Sequence, residues 1–217
     1  MDTVHPPPLA LAAIETLIRI DPDFAGILDR AGPLPWRTRA PGFPGLLQAI
    51  TAQMISNQAA AAIWGRLSAI PGALDPATLL DLPEDALRAA GLSRPKVLHA
   101  RALAAAFLDG TLSADHLALL DDEAAILAIA SVKGLGRWTA EVYLLFALGR
   151  LDVFPAGDIA LAAALAHLKS WPERPTPQTL RQHAAAWQPV RSLAARLLWH
   201  HWRHVTGRPA MDDVRFL

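Results

Sequence analysis

The chain lacks cysteine altogether, and its charges cancel. With no cysteine among the 217 residues, a disulfide, a thiolate metal site and a cysteine-held iron–sulfur cluster are all excluded. Lys and Arg together number 20, as do Asp and Glu, so the formal net charge is zero. Nucleic-acid-binding proteins usually carry a basic excess, so the overall charge argues mildly against that function and leaves only a local basic face to support it.

Signals for export or membrane insertion are also missing from the N-terminal segment. It has neither the basic stretch nor the small-residue cleavage site that a signal peptide needs. Its apolar run is interrupted by Glu15 and Arg19, a pattern typical of an amphipathic helix rather than of a membrane span. We expect a cytoplasmic protein that does not bind membranes.

β-Branched residues are sparse, whereas alanine and leucine dominate and 53% of the residues are hydrophobic. This composition favours helices and supplies a sizeable core, and no window alternates with the period of two that a half-buried strand requires. The sequence therefore predicts an all-α protein with a Pro- and Gly-rich loop over 32–44. The predicted helices span residues 9–20, 44–70, 76–82, 83–90, 95–109, 121–131, 137–149, 158–169, 177–187 and 189–205.

A Gly-Leu-Gly turn, from Gly134 to Gly136, separates two of these helices. Glycine permits left-handed backbone and keeps side chains out of a turn. The first amides of the following helix, at Arg137 and Trp138, have no acceptor within the helix and suit a phosphate oxygen, with Lys133 adding charge. The competing interpretation is a tight turn that uses glycine only for packing, since a lone Gly-x-Gly is weak evidence.

Asp158 is an isolated acid between Phe-Pro-Ala-Gly and a long apolar run. Aspartate is a preferred N-cap residue, and at this position it would begin the helix over 158–169. In apolar surroundings its charge would also be weakly solvated and chemically more potent. The two interpretations are compatible, because an N-cap position also orients a carboxylate.

Two of the seven tryptophans and two of the eight histidines bear on function. Trp138 directly follows the glycine turn, and Trp199 lies on the last predicted helix. Most tryptophans are core residues, but paired aromatic rings near a carboxylate can instead sandwich a planar or cationic ring. His200 and His204 are one helical turn apart, yet without a third ligand or an intervening glutamate they do not favour a zinc site.

The stretch VKGLGRWTAEVYLLFALGRLDVFPAGDIAL resembles the hairpin and Gly/Pro-Asp signature of the helix–hairpin–helix DNA glycosylase superfamily, and within it the DNA-3-methyladenine glycosylase II (AlkA-like) branch. The segments FPGLLQAITAQMISNQAA and WQPVRSLAARLLWHHW resemble further parts of that family, so the resemblance covers residues 14–205. It implies one domain over 1–217 with the active-site cleft between two helical subdomains. These would be residues 45–157 and residues 1–44 plus 158–217.

Carried over by position, the resemblance implies roles for individual residues. Asp158 matches the catalytic aspartate, and Trp138 and Trp199 match aromatic residues of the base pocket. The side chain that fills the gap left by a flipped base would be Gln53 or Met54. The full set of DNA-binding candidates is Gln53, Met54, Ser56, Gly134, Leu135, Gly136, Arg137 and Thr139.

The resemblance also bears on cofactors and on the shape of the pocket. No cofactor is required, although some relatives hold a metal ion on hairpin carbonyls. The matching carbonyls, which would hold a monovalent cation, belong to Ala130, Val132 and Leu135. Val142 and Ile159 stand where some relatives have tyrosines, which implies a more open pocket.

The implied activity is hydrolysis of the N-glycosidic bond of alkylated bases, of the 3-methyladenine and 7-methylguanine type, by a monomer that binds double-stranded DNA. Bifunctional relatives carry a lysine nucleophile at the position of Trp138, so Schiff-base lyase chemistry is not expected. The residues alone leave two alternatives open. One is a non-catalytic helix–hairpin–helix DNA-binding module in which Asp158 is only a helix cap, and the other is an all-helical scaffold with no role on DNA.

Overall fold

The computed structural model describes residues 6–207, and every regular element in that range is a helix. The predicted all-α class is confirmed. The α-helices are α1 (Pro8–Ile20), α2 (Ile27–Ala31), α3 (Gly42–Ala52), α4 (Asn57–Ser68), α5 (Pro76–Asp81), α6 (Glu84–Ala89), α7 (Arg94–Leu108), α8 (Ala114–Leu119), α9 (Asp122–Ala130), α10 (Arg137–Phe146), α11 (Ile159–Leu168), α12 (Pro177–Ala184) and α13 (Arg191–Thr206). In the part of the chain that the structure describes, no helix is both long and apolar enough to cross a membrane.

The helices form two compact units. The first comprises residues 6–38 and 149–207, and its central helix α13 packs against α1, α2 and α11. The second comprises residues 39–148, in which α7 packs against α3, α5 and α6 while α9 packs against α10. In each unit a helix with a long apolar face takes the middle position, because it buries most surface when neighbours cover it on several sides.

The single helix predicted over 44–70 is wrong, because the chain leaves the helical path at residues 53–56. Met54 adopts a left-handed φ of +57°, and Ser56 begins α4 by accepting a hydrogen bond from the Ala59 amide at 3.2 Å. A non-glycine residue in left-handed backbone costs roughly 1–2 kcal/mol, so contacts elsewhere must hold this turn. Ser56 was the available N-cap signal, hidden in a run of good helix formers.

The units divide at 38/39 and 148/149, whereas the predicted subdomains begin at 45 and 158. The backbone N–H of Gly42 donates to the Tyr143 hydroxyl at 2.7 Å, so the segment before α3 belongs with α10. The Ser192 hydroxyl accepts from the N–H of Val153 at 3.0 Å and donates to its carbonyl at 2.9 Å, which ties the segment before α11 to α13. These non-local bonds decide the boundaries.

A buried acid, Asp21, links three elements of the first unit. Asp21 accepts hydrogen bonds from the Trp187 indole at 2.9 Å and from the Lys169 ammonium at 2.7 Å. Burial by itself raises the pKa of the Asp21 carboxyl, but these two donors outweigh burial and lower that pKa. The end of α1 is thereby joined to the end of α11 and to the 3₁₀ turn Ala185–Trp187.

A pair of histidines makes the stability of the first unit depend on pH. His167 Nδ1 and His201 Nε2 lie 3.0 Å apart, and His201 is buried. Burial lowers the pKa of His201 to about 4, and surrounding positive charge acts in the same direction, from His167, Arg30, His204 and His200. Between the two pKa values, His201 is therefore neutral in the folded protein and protonated in the unfolded chain.

We expect the protein to lose stability as the pH falls from 6.5 toward 4, the window between the unfolded and folded pKa values of His201. The unfolded state binds more protons there, so stability rises with pH and is fully present above that window. Thermal unfolding of the wild type and of His201→Gln between pH 4 and 7.5 measures the effect. The wild-type midpoint should fall more steeply than that of the variant, and parallel curves would contradict the assignment.

Candidate active site

Asp158 is the N-cap of α11, as predicted. Its Oδ1 accepts a hydrogen bond from the Leu161 amide at 2.9 Å and a second from the Trp199 indole at 3.3 Å. The residue is only 8% exposed. Because two donors from different helices meet on one oxygen, the plane of the carboxylate is fixed.

The turn before Asp158 is anchored from both sides. The backbone N–H of Asp158 donates to the Pro155 carbonyl at 2.9 Å, and Phe154 and Ala156 are buried. A few residues earlier, Asp152 accepts two hydrogen bonds from the Arg191 guanidinium, at 2.7 and 3.0 Å. A bidentate pair of this kind restrains direction as well as distance. The Phe-Pro-Ala-Gly turn therefore delivers Asp158 to a fixed place at the start of α11.

Trp199 contributes to the site from within the core. It belongs to α13, and none of its side chain is exposed. In this conformation the ring offers no open face to a base, and its contact with the site is the indole hydrogen bond to Asp158. Trp138, the other tryptophan predicted for the base pocket, lies in the second unit on the first turn of α10 and is half-buried.

An open cavity of about 200 Å³ in the first unit adjoins Asp158. Ile159, at its edge, is 72% exposed, whereas Val142, the other predicted pocket position, is buried. The cavity also includes exposed Arg174, which sequence reasoning missed because one arginine in a proline-rich loop forms no pattern. The lining is apolar apart from two charged residues, and consists of Ala156, Gly157, Asp158, Ile159, Ala162, Arg174, Pro175 and Pro177.

The glycine turn between α9 and α10 uses its two glycines differently. Gly134 has a left-handed φ of +92°, and a Cβ there would collide with the imidazole ring of His99. Gly136 is extended and is the N-cap of α10, with no atom within 4 Å of the place a Cβ would take. The fold therefore requires glycine at 134, while at 136 glycine keeps open the approach to the first amides of α10.

The start of α10 has the features of an anion site. The first-turn amides belong to Arg137, Trp138 and Thr139, and amides at these positions have no acceptor within the helix. The partial positive charge at a helix N-terminus adds to their attraction for an anion. Thr139 is buried, so its side chain is not available to DNA.

Arg137 gives less charge to that site than its position suggests. Its guanidinium donates to both Glu123 oxygens, at 2.7 and 2.6 Å, and to a Glu141 oxygen at 3.0 Å. The hydrogen bonds with Glu123 are the largest cause of a raised pKa at Arg137. Two carboxylates thus offset its charge, and exposed Lys133 remains as the cation within the turn.

The predicted DNA-binding residues of the α3–α4 turn lie against the hairpin in the second unit. The Gln53 side-chain amide donates to the Gly134 carbonyl at 2.9 Å. Met54 follows it directly and is 100% exposed. The structure therefore brings Gln53 and Gly134 together, and leaves Met54 exposed directly beside Gln53.

Two predictions about metals can be placed on the structure. Of the three hairpin carbonyls predicted to hold a cation, that of Val132 accepts a hydrogen bond from the Leu135 amide at 3.0 Å, and this bond shapes the turn. Ala130 is the last residue of α9, directly before the turn. His200 uses Nε2 toward the Gly32 carbonyl, at 2.9 Å, and Nδ1 toward Arg203, at 2.7 Å. Within residues 6–207, no group of three or more His, Asp or Glu side chains is arranged to hold a metal ion.

Helical units with a glycine hairpin and a carboxylate set at a helix start define a helix–hairpin–helix protein. A family model described as HhH-GPD superfamily base excision DNA repair protein matches residues 47–189. The chain belongs to the HhH-GPD superfamily. The resemblance drawn from the hairpin and Asp158 is thereby confirmed.

The similar proteins include 3-methyladenine DNA glycosylases. DNA-3-methyladenine glycosylase 1 of Schizosaccharomyces pombe is 31% identical over 158 residues, covering 71% of this chain and 69% of the relative. The structure of the 3-methyladenine DNA glycosylase of that organism in complex with abasic DNA is similar with a TM-score of 0.78 at 27% identity, covering 88% of this chain and 95% of the other. The DNA-3-methyladenine glycosidase of Bacillus halodurans has a TM-score of 0.80 at 28% identity, covering 96% and 94%.

The capping role of Asp158 predicts different costs for two substitutions. Asp158→Ala removes the acceptor for the Leu161 amide and should lower the free energy of unfolding by about 1 kcal/mol or more. Asp158→Asn keeps an oxygen at that position and should change it by less than about 0.5 kcal/mol. Denaturant unfolding of both variants measures the difference, and equal stability of the two would show that the cap contributes little.

Proposed function

We propose that this protein is a monofunctional DNA glycosylase that hydrolyses the N-glycosidic bond of alkylated bases in double-stranded DNA during base excision repair. The observation that carries the proposal is Asp158, a buried carboxylate fixed by two donors beside an open cavity. A helix cap requires only the Leu161 amide. The Trp199 hydrogen bond and the adjoining cavity go beyond that requirement and favour a catalytic enzyme over a binding module.

The reaction needs one well-placed negative charge. Alkylation at N3 or N7 makes a purine cationic and therefore a good leaving group, so no general acid has to protonate it. As the base departs, the deoxyribose develops oxocarbenium character. The Asp158 carboxylate would stabilise that positive charge and assist attack of water at C1′, and its limited exposure strengthens the interaction. The products are a free base and an abasic site.

The two tryptophans have different roles in the proposed reaction. Trp138 is half-buried at the start of α10, and we assign it to stacking against the flipped base. Stacking with cation–π attraction is worth about 1–2 kcal/mol, or roughly ten- to thirtyfold in discrimination. We assign buried Trp199 to holding Asp158. Most selectivity then comes from the intrinsic lability of alkylated bases.

Binding of DNA is assigned to the hairpin and to the α3–α4 turn of the second unit. The amides at the start of α10, with Lys133, would hold a phosphate, and exposed Met54 would fill the space left by the flipped nucleotide. A monovalent cation on the hairpin carbonyls would add charge toward the same phosphate. We propose that the protein works as a monomer.

The central test is the Asp158→Asn variant on methylated duplex DNA. Release of 3-methyladenine should fall at least about a hundredfold, the loss typical when electrostatic stabilisation of a transition state is removed. Binding to duplex DNA with an abasic analogue should persist, because the variant keeps its cap and its hairpin. Base release measured by chromatography, beside binding measured by anisotropy, separates the two steps. Excision close to the wild-type rate would exclude Asp158 as the catalytic carboxylate.

The absence of a nucleophilic amine after the hairpin glycines predicts no lyase step. With Trp138 at that position, the wild type should release bases without forming a Schiff base on the sugar. Borohydride added during turnover should trap no covalent protein–DNA complex, and strands should break only after treatment with alkali. An 8-oxoguanine glycosylase/lyase on its own substrate is the positive control. A trapped complex at wild-type turnover rates would refute the monofunctional assignment.

A further inference from the structure

The geometry points to Gln53 as a positioning residue that ties the Met54 turn to the glycine hairpin. Through the hydrogen bond from Gln53 to the Gly134 carbonyl, the Met54 side chain that would fill the gap in the duplex and the α10 amides that would hold the phosphate are kept in one fixed arrangement. The inference rests on the proposed function and assigns Gln53 a role apart from direct insertion into DNA.

The contacts of two adjacent side chains distinguish their roles. Gln53 is half-buried, and its amide donates to the Gly134 carbonyl at 2.9 Å across 81 positions of sequence. Met54 is 100% exposed. The Gln53 side chain is already hydrogen-bonded to a backbone carbonyl of the hairpin. The Met54 side chain beside it is therefore the one available to DNA.

A second contact holds the end of α3, directly before the turn. The Lys96 ammonium donates to the carbonyl of Thr51 at 2.8 Å, and Thr51 is fully buried. This bond fixes the last turn of α3 to α7. One turn further along α7, the His99 ring packs against Gly134. Helix α7 therefore contacts both the end of α3, directly before the turn, and the hairpin to which Gln53 is bonded.

The backbone of Met54 explains why such support is needed. Its φ of +57° lies in the left-handed region, which residues with a side chain avoid. A free turn with this sequence would relax toward helix, since α3 and α4 flank it on both sides. Relaxation would turn the Met54 side chain away from its outward direction. The bond from Gln53 to the Gly134 carbonyl, which lies outside the turn, opposes that change.

A double-mutant cycle on Gln53 and Met54 tests the inference. The measured quantity is the ratio of the dissociation constants for undamaged duplex and for the same duplex with an abasic analogue. Gln53→Ala and Met54→Ala should each lower this ratio about tenfold, and the double variant should match Met54→Ala alone, because residues that act through one another are not additive. Independent effects, about a hundredfold together, would show that Gln53 contacts DNA by itself and would overturn the inference, as would an unchanged ratio in Gln53→Ala.

A control variant, a replacement variant and a second readout make the outcome specific. Gln58→Ala removes an exposed glutamine from the same region, on α4, and should leave the ratio unchanged. If Gln53→Ala does not fold, Gln53→Glu takes its place in the cycle, since a carboxylate of the same length cannot donate to the Gly134 carbonyl. The fluorescence of a 2-aminopurine base opposite the abasic position should change when the wild type binds. This change should be smaller with Gln53→Ala and with Met54→Ala, and by the same amount.

The wild type separates this inference from the proposed function. If the wild type releases methylated bases and prefers abasic over undamaged DNA, while the cycle is additive, only the role of Gln53 fails. If the wild type does neither, the proposed function fails before the cycle is interpreted.

Discussion

The two hydrogen bonds on Asp158 Oδ1 are the constraint on which the site depends. One comes from the backbone at the first turn of α11, and the other from a tryptophan on the central helix α13. The first is an ordinary N-cap bond, and the second joins the start of α11 to the core of the unit. The orientation of the carboxylate is thus a consequence of folding, and no separate ordering is needed when substrate binds.

The neutral charge of the chain is consistent with DNA binding once the partners of its cations are known. Lys169 is bound by Asp21 and Asp23, and Arg191 by Asp152. Arg137, which stands at the proposed phosphate site, is shared between two glutamates. Many acids therefore serve to place basic side chains within the fold. Under the proposed function, attraction for a phosphate would come mainly from backbone amides at a helix start, which carry no formal charge.

The parts of the site that the sequence predicted correctly are those with local signals. An aspartate before an apolar run marks an N-cap, and paired glycines between helical patterns mark a hairpin. The break between α3 and α4 has one weak local signal, the N-cap Ser56, and the contact that supports the turn, from Gln53 to Gly134, comes from far along the chain. Arg174 joins the cavity of Asp158 through the path of a loop, which periodicity does not reveal. Non-local contacts also shift the unit boundaries away from the predicted positions.

The link between the Met54 turn and the hairpin has a physical advantage for a protein that must distort a duplex. Rotating a nucleotide out of the stack is unfavourable by itself, and it becomes accessible when the gap is filled while the backbone is held. If the two elements moved independently, each would lose its own conformational freedom on binding. In this fold the Gln53 bond and the contacts of α7 have already ordered both. The strained backbone of Met54 is then the stable conformation of the free protein, and under the proposed function the exposed methionine would meet DNA without further ordering.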